Sequence, residues 1–125
     1  MKQLIILLTI FGLLSSCRKS SDTPYIKGKL VYRSCATIAV EVLDSNYYNL
    51  GQASWQQSNS KPVYEHVFAV ANNCSFPGSV TVGQEFLFKV VPFDASMKDC
   101  VTCALFDNPP AKTQIIKVST ASGGN

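Results

Sequence analysis

The chain has 125 residues, of which 46% are hydrophobic, 10% aromatic and 15% charged, and its formal charge is +3 at pH 7. This length allows one domain at most, and the composition excludes a disordered tail or a coiled coil. The positive charge is too small and too scattered for a nucleic-acid-binding protein, so no nucleic-acid partner is expected.

The N-terminal segment, residues 1–16, has the features of an export signal. Lys2 supplies one positive charge, and Leu4–Leu14 is an apolar run interrupted only by Thr9 and Gly12. As a helix this run extends about 16 Å, roughly half the hydrocarbon thickness of a bilayer. The run therefore predicts the core of a signal peptide and not a membrane span.

The residues that follow the apolar run predict a lipid anchor. Leu14-Ser15-Ser16-Cys17 resembles the lipobox of bacterial lipoproteins, in which an aliphatic residue and two small residues precede the acceptor cysteine. The resemblance implies that the Cys17 thiol receives a diacylglycerol and that the freed amine takes a further acyl chain such as palmitate. Two or more acyl chains hold a protein to a membrane almost permanently. The alternative, a soluble secreted protein, leaves Cys17 as an odd thiol in an oxidising compartment.

A short polar tether is predicted between the lipid and the domain, over residues 17–24, because Arg18–Thr23 is polar and has no periodicity. The leader, the cysteine and this tether resemble those of Bacteroidetes lipoproteins. In that group an acidic run after the cysteine is associated with display on the cell surface. Here the run begins with Arg18 and Lys19, so the resemblance implies anchoring in the outer membrane, facing the periplasm. Residues 121–125 are expected to form a flexible tail.

Residues 25–120 show strand patterns and no convincing helical period, so a single β domain is expected. The predicted strands are Ile26–Val42, bent at Ser34–Ala36, then Val63–Ala71, Glu85–Pro92, Val101–Phe106 and Thr113–Thr120. The first strand alternates polar and apolar residues throughout, and Gly28 indicates a bulge or a close approach. The second is apolar on both faces and is therefore expected to be more central.

Five strands with a long first strand favour a small closed or nearly closed barrel, because the first strand can pair on both sides and closure removes exposed edges. The pattern resembles a five-stranded OB-like β-barrel, with a Greek-key β-sandwich as the alternative. Gly28-Lys29-Leu30, Cys35 and the segment Val82–Phe86 before a later strand also resemble small Bacteroidetes lipoproteins of unknown activity. No activity follows from this resemblance.

The remaining cysteines, Cys35, Cys74, Cys100 and Cys103, predict two disulfides, because their number is even and the protein is expected outside the cytoplasm. Three pairings are open, of which one joins Cys100 to Cys103 and Cys35 to Cys74, and the others join the C-terminal pair to Cys35 and Cys74. In an extended strand Cys100 and Cys103 would lie about 10 Å apart, too far for a disulfide unless a turn intervenes. The spacing does not favour a redox dithiol or a zinc site, so no metal and no cofactor are expected.

The segment Asp44–Pro62 is the strongest candidate for ligand contact. It is long for a connection between strands, it is rich in amide and hydroxyl side chains, and it contains Tyr47, Tyr48 and the only tryptophan, Trp55. Aromatic rings among amides suit a glycan or a peptide partner. The other interpretation is that Trp55 caps one open end of the barrel, with Ala53-Ser54-Trp55 adding a short edge strand.

The only histidine, His66, is predicted to lie on the same strand face as Tyr64, Phe68 and Val70. A lone histidine in a strand is usually a hydrogen-bonded structural residue, so no catalytic residue is assigned. The expected function is that of a membrane-anchored envelope lipoprotein acting as a non-enzymatic binding or accessory module. The alternative is a periplasmic thiol-active or hydrolytic enzyme that uses Cys100 and Cys103, or His66.

Overall fold

The computed structural model describes residues 24–93, Cys103 and residues 107–119. The strands in this part of the chain are β1 (Ile26–Arg33), β2 (Ile38–Val42), β3 (Gln52–Gln56), β4 (Val63–Val70), β5 (Glu85–Val90), β6 (Thr113–Gln114) and β7 (Ile116–Val118). Two 3₁₀ helices span Ser45–Leu50, with an interruption at Tyr47, and Asn73–Ser75. The predicted all-β class is confirmed.

Several predicted segments lie outside the described residues. These are the leader, Cys17, the tether up to its last residue, Cys100, most of the strand Val101–Phe106, and the tail. Among the residues that are described, none belongs to a helix long and apolar enough to cross a membrane.

The seven strands form one sheet with the order β3-β4-β2-β1-β5-β7, and β6 also pairs with β4. All pairs are antiparallel except β4 with β6, which is parallel. The C-terminal segment pairs with β4 before Ile115 and with β5 after it, through ladders of two and three residue pairs. Because these ladders are short and change partner, the sheet is not closed into a barrel. The expected closure is therefore wrong, and the single sheet also differs from the alternative sandwich.

The predicted long strand Ile26–Val42 is a hairpin of β1 and β2. Its turn is fixed by Ser34, whose N–H donates to the Thr37 carbonyl at 2.8 Å and whose Oγ accepts from the N–H groups of Ala36 and Thr37 at 3.1 and 3.0 Å. A bulge between Leu30 and Tyr32 shifts the register. Before the shift, even-numbered residues of the two strands pair, as Gly28 does with Val42 and Leu30 with Val40, whereas after it Tyr32 pairs with Ala39. Because even-numbered residues of both strands, such as Leu30 and Val40, lie in the main core, the alternation of the sequence runs on from one strand into the next and concealed the turn.

The sheet has an apolar cluster on each face, since successive side chains of a strand point to opposite sides. The main core contains Leu30, Val40, Phe68 and Phe88, all fully buried. The second cluster contains Val31, Ala39, Trp55 and Val67, with Tyr32 and Tyr64 packed against it. Central strands are therefore apolar on both faces, as predicted for β4, which pairs with three other strands.

Gly28 allows β1 and β5 to approach closely, as its position in the sequence predicted. A Cβ atom there would lie 2.8 Å from Cε1 of Phe88 and 3.0 Å from Cγ1 of Val40. Glycine at this position therefore allows the Phe88 ring to lie directly against the β1 backbone within the main core.

His66 interrupts the alternation of β4, because its backbone is left-handed, with φ 58°. Tyr64 and Val67 contact the second cluster, whereas Phe68 and Val70 belong to the main core. A regular strand would place Tyr64 and Phe68 on one face. The predicted common face of His66, Tyr64, Phe68 and Val70 is therefore wrong, because the left-handed residue rotates the strand between its two halves.

Gly51 lies directly against this left-handed residue. A Cβ at Gly51 would be 2.2 Å from the His66 carbonyl carbon, 2.4 Å from its oxygen and 2.5 Å from the Val67 nitrogen. Backbone atoms in a paired strand cannot move aside as a flexible side chain can. Glycine is therefore required where the Ser45–Leu50 helix ends and β3 begins.

We expect Gly51→Ala to lower the free energy of unfolding by about 2–4 kcal/mol, because a methyl group would force β3 away from β4. Gly78→Ala is the matched control, since a Cβ at Gly78 has no neighbour within 4 Å. That control should change stability by less than about 1 kcal/mol. Urea unfolding followed by circular dichroism measures both, and equal midpoints for the two variants would contradict the packing at Gly51.

Candidate functional site

The structure separates the three aromatic residues that were predicted to contact a ligand. Tyr47 packs against the main core. Tyr48 is 38% exposed and stacks on the His66 ring, with centroids 3.7 Å apart and planes 5° from parallel. Trp55 is 96% buried and donates its indole N–H to the Asn108 carbonyl at 3.0 Å. These residues therefore do not form one binding surface.

The segment Asp44–Pro62 is ordered by its own hydrogen bonds and is not a long open loop. The Asp44 carboxylate accepts from the Asn46 N–H at 3.1 Å and begins the first 3₁₀ helix. Strand β3 follows and pairs only with β4 in the described sheet. The expectation that Ala53-Ser54-Trp55 adds a short edge strand is therefore confirmed.

Beside the buried face of Trp55 lies a cleft of about 280 Å³, which we call the aromatic cleft. It is lined by Val31, Tyr32, Arg33, Trp55, Gln57, Lys61, Pro62, Tyr64 and Val82. Strands β1, β3 and β4 provide its floor, and the turn between β3 and β4 forms one wall. The bulge in β1 and the left-handed residue in β4 turn Tyr32 and Tyr64 toward this space, since both distortions shift the strand alternation on the cleft side.

The lining of the aromatic cleft combines apolar surface with two positive charges and no carboxylate. Arg33 is held in place, because its guanidinium donates to the carbonyls of Pro77 at 3.0 Å and Gly78 at 3.4 Å and lies 5.2 Å from the Phe76 ring centroid. Lys61 is exposed. The geometry therefore offers a fixed charge at one side and an accessible ammonium group at the rim.

A buried carboxylate supports the cleft from behind. Asp107 is 5% exposed. The Tyr32 hydroxyl donates to its Oδ1 at 2.5 Å, and the Ser34 hydroxyl donates to Oδ2. Thr37 and Gln57 also hydrogen-bond to this carboxylate. Two of these donors, Tyr32 and Gln57, line the cleft, so the carboxylate fixes part of its wall.

The ionisation of Asp107 follows from these contacts. Burial alone would raise the pKa of Asp107, but the hydrogen bonds from Ser34, Tyr32 and Thr37 outweigh burial and lower its pKa below the ordinary value. The hydrogen bond to Asp107 raises the pKa of Tyr32, and burial and the carboxylate charge act in the same direction. The pair is therefore a charged carboxylate bound by a neutral phenol at neutral pH.

A disulfide joins the turn between β1 and β2 to the chain that precedes Asp107. Cys35, in the turn between β1 and β2, is bonded to Cys103, with Cα atoms 5.7 Å apart. This bond confirms a long-range disulfide and excludes the pairing in which Cys100 joins Cys103 and Cys35 joins Cys74. Cys74 is also disulfide-bonded. Cys103 precedes Asp107 by four residues. A covalent bond and hydrogen bonds therefore both attach this part of the chain to β1 and the turn that follows it.

The structure gives His66 a structural position in β4. Its ring stacks on Tyr48, and its Nε2 lies 4.0 Å from the Glu65 carboxylate. Within residues 24–93, Cys103 and residues 107–119, no group of three or more potential metal-ligating side chains occurs.

Four residues of this site were not singled out by the sequence. Arg33 and Tyr64 belong to segments of ordinary strand composition, which gives no sign of a shared cleft. Lys61 lies within the predicted segment Asp44–Pro62 but was not among the aromatic residues expected to contact a ligand. Asp107 had one usable signal, because it precedes Asn108-Pro109-Pro110. Consecutive prolines prevent strand pairing and leave the residues before them available for side-chain contacts.

No protein-family model matches the chain, and neither does a curated protein or a solved structure.

We expect the Asp107 network to make stability depend on acidity. A carboxyl with a lowered folded pKa stabilises the fold above its unfolded pKa of about 4, and this stabilisation is lost as the pH falls through the folded pKa. Asp107→Asn should therefore cost about 2–3 kcal/mol at pH 7 and flatten the stability profile below the unfolded pKa of about 4. Urea titrations at several pH values measure this.

Asp44→Asn is the control for this comparison, because it removes one carboxylate charge but keeps an oxygen that can accept from the Asn46 N–H. Its acid profile should follow that of the wild type. An Asp107→Asn profile parallel to both would show that this carboxylate does not contribute to acid stability.

Proposed function

We propose that this chain is a lipid-anchored binding module of the bacterial envelope and not an enzyme, with the aromatic cleft holding a segment of a partner protein. The export signal and the Leu14–Cys17 pattern support the anchor. The observation that carries the binding role is the aromatic cleft itself, where apolar walls and two cations meet over a floor held by buried hydrogen bonds.

The lining favours a peptide that carries an apolar side chain beside a carboxylate. Val31, Pro62 and Val82 offer aliphatic surface, which is suited to an apolar side chain. Arg33 and Lys61 complement a negative charge, and the lining contains no carboxylate that would repel it. The Gln57 amide provides a further polar contact.

A glycan fits this lining less well. Sugar rings stack on exposed aromatic faces, but the Trp55 ring is 96% buried and lies edge-on to Tyr32, with centroids 6.0 Å apart. Sugar hydroxyls also need several amide or carboxylate partners, and Gln57 is the single amide in the lining. Of the two partner classes expected from the sequence, a glycan and a protein, the lining of the cleft therefore favours a protein.

The enzymatic alternative receives little support from the geometry. The Cys103 sulfur is bonded to Cys35, so it does not form a dithiol with its sequence neighbour Cys100. The His66 ring presents its face to Tyr48, whereas a general base needs a ring nitrogen directed at the proton that it removes.

The lipid anchor is tested by growing an expressing bacterium with labelled palmitate. The wild-type chain should incorporate the label and show the mass of a cleaved, acylated protein, whereas Cys17→Ala should remain unlabelled, because the acceptor thiol is absent. A Cys35→Ala/Cys103→Ala variant controls for other effects of cysteine loss and should still be labelled. An unlabelled wild-type chain would contradict the anchor.

Binding is tested through the fluorescence of Trp55, the only tryptophan, which lines the aromatic cleft. Short peptides of alternating leucine and glutamate should change its emission, and the same peptides with glutamine should bind several-fold more weakly. Lys61→Gln should weaken glutamate-peptide binding about two- to fivefold, as expected for an exposed ion pair. Lys29→Gln, outside the cleft, is the charge-matched control, and an equal loss in both variants would contradict the proposed site.

A further inference from the structure

Two lysines face each other on the side of the sheet opposite the main core. Lys89 of β5 and Lys117 of β7 are direct partners in the antiparallel ladder. Their neighbours Phe88 and Ile116 are buried in the main core, so the lysine side chains point away from it. Like charges directly opposite each other destabilise a sheet. Among the residues that the structure describes, no ion pair compensates either lysine, so the pair has an electrostatic cost.

An aromatic ring lies beside one of the two lysines. The Lys89 ammonium lies 4.3 Å from the centroid of the Tyr25 ring, which is 47% exposed. In the next row of the ladder, Leu87 is 39% exposed. We call Tyr25, Leu87, Lys89 and Lys117 the basic patch. The nearby carboxylate of Glu85 is paired with Lys27 at 2.9 Å, so it does not neutralise Lys89 or Lys117.

The basic patch lies where the chain enters the domain. Tyr25 directly precedes β1, and the predicted tether from Cys17 ends at the residue before it. β1 and β5 are antiparallel, with Ile26 opposite Phe88, so the end of β5 lies at the same end of the sheet. Phe93, three residues beyond β5, is 71% exposed.

We propose that the basic patch rests on an anionic lipid surface and sets the orientation of the domain on its membrane. This inference depends on the proposed lipid anchor, which would hold the patch within a few tens of ångströms of the bilayer through an eight-residue tether. Lysines near an anionic surface are each attracted by an amount equivalent to about fivefold in affinity. Tyrosine and phenylalanine rings suit the boundary between headgroups and acyl chains.

Charge complementarity favours lipid over a protein occupant. The patch presents two ammonium groups that form no ion pair with another described residue, flanked by the exposed side chains of Tyr25 and Leu87. Opposed lysines become favourable when phosphate groups lie over both, because the phosphates screen the repulsion between them. The cost of the Lys89–Lys117 pair is then removed on the membrane.

The test is lysine footprinting of the lipidated chain in vesicles of phosphatidylethanolamine with phosphatidylglycerol, and in vesicles of phosphatidylcholine alone. Reductive methylation followed by mass spectrometry gives a rate for each lysine. On the anionic vesicles Lys89 and Lys117 should react about fivefold more slowly, whereas Lys61 at the cleft should not change. Raising the salt from about 0.05 to about 0.5 M should remove the protection.

Equal rates at Lys89 and Lys117 in the two kinds of vesicle, or equal protection of Lys61, would overturn the inference. Lys117→Gln should reduce the protection of Lys89 about fivefold, and Lys61→Gln should leave it unchanged. The intact mass of the same preparation reports acylation independently. An acylated chain without protection refutes the basic patch alone, whereas a chain without acyl groups refutes the anchor.

Discussion

Asp107 keeps its charge inside the protein because three hydroxyl groups and an amide surround it. A buried carboxylate without such donors would cost several kcal/mol. The donors come from β1, the following turn and the turn after β3. None of these elements pairs as a strand with residues 107–112, so hydrogen bonds to the Asp107 carboxylate hold them to that segment. The Cys35–Cys103 bond attaches the chain before Asp107 to the same turn after β1. The second apolar cluster, against which Tyr32 packs, depends on these contacts with Asp107.

Asn108 extends this control to the edge of the sheet. Its backbone is left-handed, with φ 43°, and its carbonyl accepts the Trp55 indole N–H. Its amide donates to the carbonyls of Gln56 and Gln57, both at 3.1 Å. These bonds occupy acceptors that an edge strand would otherwise present to another chain. They also fix the floor and one wall of the aromatic cleft, which would reduce the entropy lost on binding in the proposed function.

Much of the fold could be predicted from local patterns, because burial leaves a period of two in the sequence. The strands near Val63 and Glu85 follow from short apolar runs bounded by turn residues, and the close approach at Gly28 follows from a glycine within a strand pattern. The β1–β2 hairpin could not be predicted, since even-numbered residues of both strands lie in the main core and the alternation therefore continues across the turn. The site was less predictable, because burial of the Asp107 charge depends on Tyr32, which is 75 positions away. No local pattern reports such a partner.

The connection between Cys35 and Cys103 has a consequence for how the chain matures. In the order of synthesis the first cysteine to follow Cys35 is Cys74, so the first bridge that Cys35 can form with a later cysteine is one that the folded protein lacks. The final bond closes 68 positions of chain. A bridge formed too early must be broken by thiol–disulfide exchange before Asp107 can reach its donors. A chain that forms the Cys35–Cys74 bridge first therefore reaches the folded state only through thiol–disulfide exchange.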